Sequence, residues 1–146
     1  MKITSSAFED NQAIPREFTC DGGDKNPALV IDGVHPSAKS LVFIVDDPDA
    51  PGGTWTHWVV WNNKPTIKEI REGEKTEGGV EGITSFGHPG YGGPCPHNGM
   101  HRYFFKLYAL DTILNIPLTS TVEDVAEAMK GYIVADAKLM GTYTRK

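Results

Sequence analysis

Arg102-Tyr103-Phe104-Phe105-Lys106-Leu107-Tyr108-Ala109-Leu110 is the stretch whose reading decides the fold class. Apolar or aromatic residues occupy both of its alternating positions, which predicts a strand in the middle of a sheet with both faces covered. Upstream, Ser40-Leu41-Val42-Phe43-Ile44-Val45-Asp46 is a short apolar, β-rich run that predicts a buried strand. Pro48 and Pro51 end it, because neither can donate to a strand ladder. A third β-rich run, His57-Trp58-Val59-Val60-Trp61-Asn62, stops at Asn63-Lys64-Pro65.

Between the second and third of these runs in chain order lies a polar segment, roughly 64–98, rich in glycine and charge and poor in core formers. Loops of that length are usually functional or disordered. Its end, Gly87-His88-Pro89-Gly90-Tyr91-Gly92-Gly93-Pro94-Cys95-Pro96-His97-Asn98-Gly99, mixes Gly and Pro with aromatic, His and Cys residues, a composition suited to a rigid loop beside a ligand. Near the C-terminus, Ser120 with Glu123 fits a capping box, and Val122, Val125, Ala126 and Met129 follow a 3.6-residue period. Gly131 ends or bends that helix. Residues 132–137 read as its continuation and 139–144 as a returning strand. Short strands followed by one or two late helices give a β-rich α+β domain. With no repeat or linker, residues 1–146 form a single domain.

Fourteen basic residues against 19 acidic ones leave a net charge of −5, with no basic run. That sign argues against nucleic acid or an anionic membrane as partner, so any bound anion needs a local site. The first eight residues hold no apolar stretch of signal length, and no segment approaches a membrane span. The expectation is a cytoplasmic protein with no integral membrane association. Cys20 and Cys95 fit neither a disulfide framework nor a zinc spacing. A bridge between them requires the fold to bring them together; two reduced thiols are expected.

Two clusters concentrate unusual polar residues at strand ends, where loops held by a rigid sheet commonly form sites. The first is Asp46-Asp47-Pro48-Asp49-Ala50-Pro51 with Trp55-Thr56-His57-Trp58; the second runs from Gly92 to Tyr103. Asp47 and Asp49 are two apart, as are His101 and Tyr103, so in extended backbone each pair points to one side. Singly, each residue has a plainer role. Aspartates beside proline cap turns, a lone His before a strand is satisfied structurally, and Trp55, Trp58 and Trp61 suit a core. Arg102 suits an ion pair with Asp47 or Asp49. If the clusters meet, carboxylate, imidazoles, phenol and loop N–H groups converge, enough to hold a small phosphate or carboxylate.

Asp47-Pro48-Asp49-Ala50-Pro51, Trp55 and His57-Trp58-Val59-Val60-Trp61-Asn62 together resemble the first signature region of the phosphatidylethanolamine-binding protein family. Gly93-Pro94-Cys95-Pro96 through Gly99-Met100-His101-Arg102-Tyr103 resembles the second. The likeness extends through Phe18-Thr19-Cys20-Asp21-Gly22 and Glu127-Ala128-Met129-Lys130-Gly131, covering nearly the whole chain, at a length like the short bacterial and archaeal branch of Raf kinase inhibitor-like proteins. The resemblance implies a mainly β fold, a two-sheet antiparallel β-sandwich with Greek-key connections and one or two peripheral C-terminal helices. It implies a pocket at one end for small anions: phosphate, phosphoethanolamine-like groups or carboxylate. The implied lining is Asp47, Trp55, His57, Gly93, Pro94, Cys95, His101 and Tyr103, supported by Asp49, Pro51 and Arg102, with no metal and no cofactor.

In that reading Asp47 favours protonated histidines, which donate to the anion with Tyr103 and N–H groups near Gly93. His97 and Tyr132 depart from the branch pattern and bear on the pocket mouth. The implied role is a ligand-responsive regulator or inhibitor of a protein partner such as a kinase, with a homodimer expected. A serine protease inhibitor is one alternative. A hydrolase using Asp47, His57, His101 and Cys95 is another, weighed down by the absence of a strand–nucleophile–helix elbow and by Cys95 lying between two prolines. The chain is therefore expected not to be an enzyme.

Overall fold

The computed structural model describes residues 1–145. In chain order its elements are β1 (Lys2–Thr4), β2 (Gln12–Ala13), β3 (Leu29–Asp32), β4 (Ser40–Asp47), β5 (Trp55–Asn63), β6 (Glu69–Ile70), β7 (Val80–Glu81), β8 (Met100–Leu110), α1 (Val122–Met129) and β9 (Ile133–Thr144). They form a six-stranded sheet, β2-β9-β8-β4-β5-β7, and a three-stranded sheet, β1-β3-β6. Every pairing is antiparallel except the two-residue β2–β9 contact. Within the large sheet β8 returns beside β4, giving the order β8-β4-β5-β7, a Greek key.

Strand alternation explains why the three apolar runs carry the fold. In β4, Leu41, Phe43 and Val45 point inward against Ile3, Leu29, Ile31 and Ile70 of the small sheet. Val42 and Ile44 point outward, packing with Val59 and Trp61 beneath Leu114, Val125 and Met129. β4 is buried along its whole length because one layer covers each face. Each large side chain buried there contributes about 1.5–3 kcal/mol.

β8 differs from expectation. It is interior to the sheet, and Tyr103, Phe105 and Leu107 are buried on its inner face. The helix covers only its Leu110 end, so Arg102, Phe104, Lys106 and Tyr108 are half-buried or exposed. Phe104 is screened by cationic side chains instead, with Arg102, Lys106 and Lys138 lying 5.7–6.0 Å from its ring centre.

The C-terminal reading needs two corrections. Thr121, not Ser120, caps α1: its N–H donates to Asp124 Oδ2 at 2.9 Å, while Ser120 is buried and its carbonyl accepts from Ile83. Residues 132–137 are not helical. Gly131, at φ +83°, terminates the helix, and Ile133 onward pairs with β8, whose outer edge would otherwise lie open.

The polar segment is ordered by side-chain latches. Buried Asn26 donates to the carbonyls of Arg71 and Glu74 at 3.1 and 3.2 Å, and Thr76 bonds buried Asn63. A further correction concerns the cysteines: Cys20 and Cys95 form a disulfide. Their loops are already adjacent, because Cys20 N–H donates to the Pro94 carbonyl at 3.1 Å. Among the described residues, no helix is long and apolar enough to cross a membrane.

Candidate functional site

Inside the sandwich the inward positions change character at one end. Along β4 they read Leu41, Phe43, Val45 and then Asp47; along β8, Leu107, Phe105, Tyr103 and then His101. The aliphatic core therefore gives way to a carboxylate, a phenol and an imidazole at the same end. A β-bulge completes the set. Val45 pairs with Trp58 but Asp46 pairs with Thr56, so His57 is the extra residue on β5, and Trp55 rather than Thr56 falls opposite Asp47. Bulges commonly re-aim side chains at sites in this way.

The result is a cavity of about 400 Å³ lined by Asp47, the 50–54 turn, Trp55, His57, Phe86, Cys95, Pro96, His97, His101 and Tyr103. Tyr103 lies between the two imidazoles, with ring centres 5.3 Å from His57 and 6.4 Å from His101. Trp55 and Phe86 meet edge to face at 5.4 Å. Both remain more than a third exposed, which makes them an aromatic corner at the mouth.

Hydrogen bonding fixes the orientation of both histidines. His57 Nδ1 lies 2.7 Å from the Gly92 carbonyl and His101 Nδ1 lies 2.7 Å from Asp47 Oδ2. A carbonyl and a carboxylate only accept, so each Nδ1 carries the proton and donates. Each Nε2 is left without a protein partner, and the only buried unpartnered side-chain polar atom among the described residues is Asp46 Oδ1, so both Nε2 atoms are reachable.

Electrostatics separates the roles. Burial lowers the His57 pKa, and the Gly92 carbonyl and Asp47 only partly oppose it. At His57 burial thus outweighs the Asp47 carboxylate and favours the neutral ring, against the expectation that Asp47 keeps this imidazole protonated. Burial, reinforced by the carboxylates of Asp47 and Asp49, raises the Tyr103 phenol, which stays protonated as a donor.

Asp47 and Asp49 do not share a side. β4 ends at Asp47, whose Oδ1 accepts the Asp49 N–H at 2.7 Å, and the turn swings Asp49 outward. There Asp49 accepts the backbone N–H of Arg102 at 3.0 Å and its Nε and Nη2 at 2.9 Å. The Arg102 guanidinium pulls the Asp49 carboxyl down to about 2. The pair clamps the β4 turn to β8 beside the cavity.

The structure brings together six of the sequence-predicted lining residues: Asp47, Trp55, His57, Cys95, His101 and Tyr103. Gly93 and Pro94 are buried behind the wall. The Gly93 N–H, expected to complete an anion nest, donates to Asp24 Oδ1 at 2.8 Å, and no Cβ would fit there against the Phe18 carbonyl. Pro51 and His97 line the cavity, whereas Tyr132 precedes β9 beside Leu110 at the opposite end of the sheet and has no bearing on the mouth. Phe86 and the 52–54 turn are lining residues that the motifs did not flag. The only sequence signal for Phe86 is a bulky aromatic within polar Thr84-Ser85-Phe86-Gly87-His88.

Residues 4–144 match the family model described as phosphatidylethanolamine-binding protein. A UPF0098 protein of Methanothermobacter thermautotrophicus is 47% identical over 99% of both chains. Another, from Pyrococcus abyssi, is 48% identical over 100% of this chain and 86% of its own. Among solved structures, a Chlamydia trachomatis protein described as a homologue of phosphatidylethanolamine-binding protein superposes with a TM-score of 0.95 at 41% identity, covering 99% of this chain and 97% of that one. Escherichia coli YbcL, described as a member of the mammalian PEBP family, gives 0.92 at 29% identity over 99% and 98%.

Proposed function

The chain belongs to the phosphatidylethanolamine-binding protein family, and from that premise we propose that its pocket binds a small anion, with phosphate, phosphoethanolamine-like and carboxylate groups as the candidates. The observation that carries this reading is the pair of accessible Nε2 atoms on His57 and His101, each opposed by a fixed acceptor on Nδ1. A protonated Nε2 donates to an anion while Nδ1 holds the ring still. Tyr103 adds a third donor, and Trp55 and Phe86 offer apolar or cation–π surface to whatever the anion carries. Asp47 supports His101 from behind and does not face the anion alone.

In this reading the pocket binds without turnover. The Cys95 sulfur is bonded to Cys20 and supplies no thiolate, and both oxygens of Asp47 already accept hydrogen bonds. The response is regulation or inhibition of a protein partner, a kinase or a serine protease, a class drawn from family kinship rather than from the pocket. A cytoplasmic location and a homodimer belong to the same proposal.

Calorimetric titration with phosphate and with phosphoethanolamine tests the binding claim. Saturable 1:1 binding is expected, weakened about 10- to 100-fold by His101→Gln, since a hydrogen bond to a charged group contributes about 1.5–3 kcal/mol. No heat from either compound with the wild-type protein would contradict it.

A further inference from the structure

We propose that the Cys20–Cys95 disulfide is a redox gate on this pocket: the bridged form holds the anion-binding geometry, and reduction by a dithiol releases the cavity loop and weakens binding. The inference rests on the anion-binding reading above and names the regulation of that site.

Three observations carry it. The bridge joins a turn tied to the sheet by side chains to an irregular loop. Beside Cys20, Asp21 accepts the Tyr143 hydroxyl of β9 at 2.7 Å and pairs with Arg145 at 3.2 Å, so that side is anchored to the sheet. Residues 91–96, on the other side, contain neither strand nor helix, and besides the bridge they are tied to this turn region only by isolated hydrogen bonds, from Gly93 N–H to Asp24, from the Tyr91 hydroxyl to the Phe18 carbonyl and from Cys20 N–H to the Pro94 carbonyl.

That loop also sets the ligand-facing nitrogen of His57. Gly92 accepts from His57 Nδ1 through its carbonyl and donates its N–H to the His57 carbonyl at 3.0 Å, so loop and imidazole are pinned reciprocally. Release of the loop removes the acceptor that keeps the proton on Nδ1 and leaves Nε2 facing the cavity.

Finally, the bridge borders the cavity. Both cysteines are partly exposed, and Cys95 forms part of the cavity wall. A dithiol entering the empty cavity can attack the bridge, and an anion seated there obstructs it.

The chemistry is ordinary thiol–disulfide exchange. A thiolate of the dithiol attacks one sulfur, forming a mixed disulfide as the Cys20–Cys95 bond breaks. The second thiolate of the reductant displaces the remaining protein sulfur. Two electrons pass to the protein, each cysteine sulfur ends as a protonated thiol, and the reductant leaves as its own disulfide. Because binding linkage is reciprocal, a ligand that prefers the bridged form must also favour oxidation by the same factor.

The test is phosphate titration of the oxidised wild type and of the same protein reduced with dithiothreitol, with thiol labelling and mass spectrometry confirming two free thiols. The oxidised form should bind at least about tenfold more tightly, and saturating phosphate should then lower the protein's reduction potential by about 30 mV per tenfold. Cys20→Ser, which leaves the cavity wall intact, should bind like the reduced form. Equal affinities in verified oxidised and reduced protein would overturn the gate while leaving anion binding intact. Binding by neither form would overturn both. Loss of the far-UV β signal on reduction would also overturn it, since the gate requires a folded sandwich with a freed loop.

Discussion

Within the β5 bulge, His57 is desolvated and its Nδ1–H is committed to Gly92, so an anion that needs a donor from Nε2 must bring a proton with it. Affinity for phosphate should therefore rise as pH falls below about 7 and level off beneath the lowered His57 pKa. Calorimetry in two buffers of different ionisation enthalpy should report proton uptake near pH 7; uptake unchanged in His57→Gln would contradict the assignment. The same residue acts oppositely on stability. Its folded pKa lies below the unfolded value near 6.5, so the unfolded chain takes the proton first and His57 costs stability as pH falls below about 6.5. Asp49 has the usual carboxylate sign. Held down to about 2 by Arg102, it stabilises the fold above about pH 4 and loses that contribution between about 4 and 2. Arg102→Met should flatten that part of an acid-unfolding curve.

Elements show where local sequence suffices. β4, β5 and β8 were legible because their apolar runs are long and buried, whereas β2, β6 and β7 have two residues each, too few to carry a period. Over residues 132–137 the sequence is compatible with helix, because Ala, Val and Ile at that place allow either state, and the deciding fact, an unpaired flank of β8, is tertiary. Ser120 and Thr121 are both good caps by sequence, and the choice of Thr121 is tertiary: Ser120 is buried with its carbonyl accepting from Ile83, which leaves Thr121 to pair with Asp124. Asp124→Ala should then destabilise the protein by about 1 kcal/mol in urea unfolding, while Glu123→Ala should be nearly neutral. Gly93→Ala should cost about 1–3 kcal/mol, because the added Cβ has no room against the Phe18 carbonyl. A neutral Gly93→Ala would mean that the loop packs less tightly there than the structure shows.

For the molecule as a whole, the pocket follows from closing a sandwich whose inward positions turn polar at one end. The motif residues Asp47, His57, His101 and Tyr103 could be gathered from sequence, since the ordered signatures point to all four, whereas strand spacing holds only for His101 and Tyr103. Their partners could not: which carboxylate meets His101, which carbonyl meets His57, and that Cys20 meets Cys95 across 75 residues all depend on how loops cross the sheet end. Closing so long a loop implies that reduction costs about 4 kcal/mol of global stability, measurable as a lower urea midpoint. An unchanged midpoint would mean the bridge does not constrain the unfolded chain. The central claim, that an anion sits between His57 and His101, is tested most directly by ring 15N NMR of histidine-labelled protein titrated with phosphate. The His57 Nε2 resonance should move from the unprotonated to the protonated range while its Nδ1 stays protonated, and the His101 Nε2 resonance should shift with the same phosphate dependence; Nε2 signals of His57 and His101 that remain unmoved at saturating phosphate would contradict it.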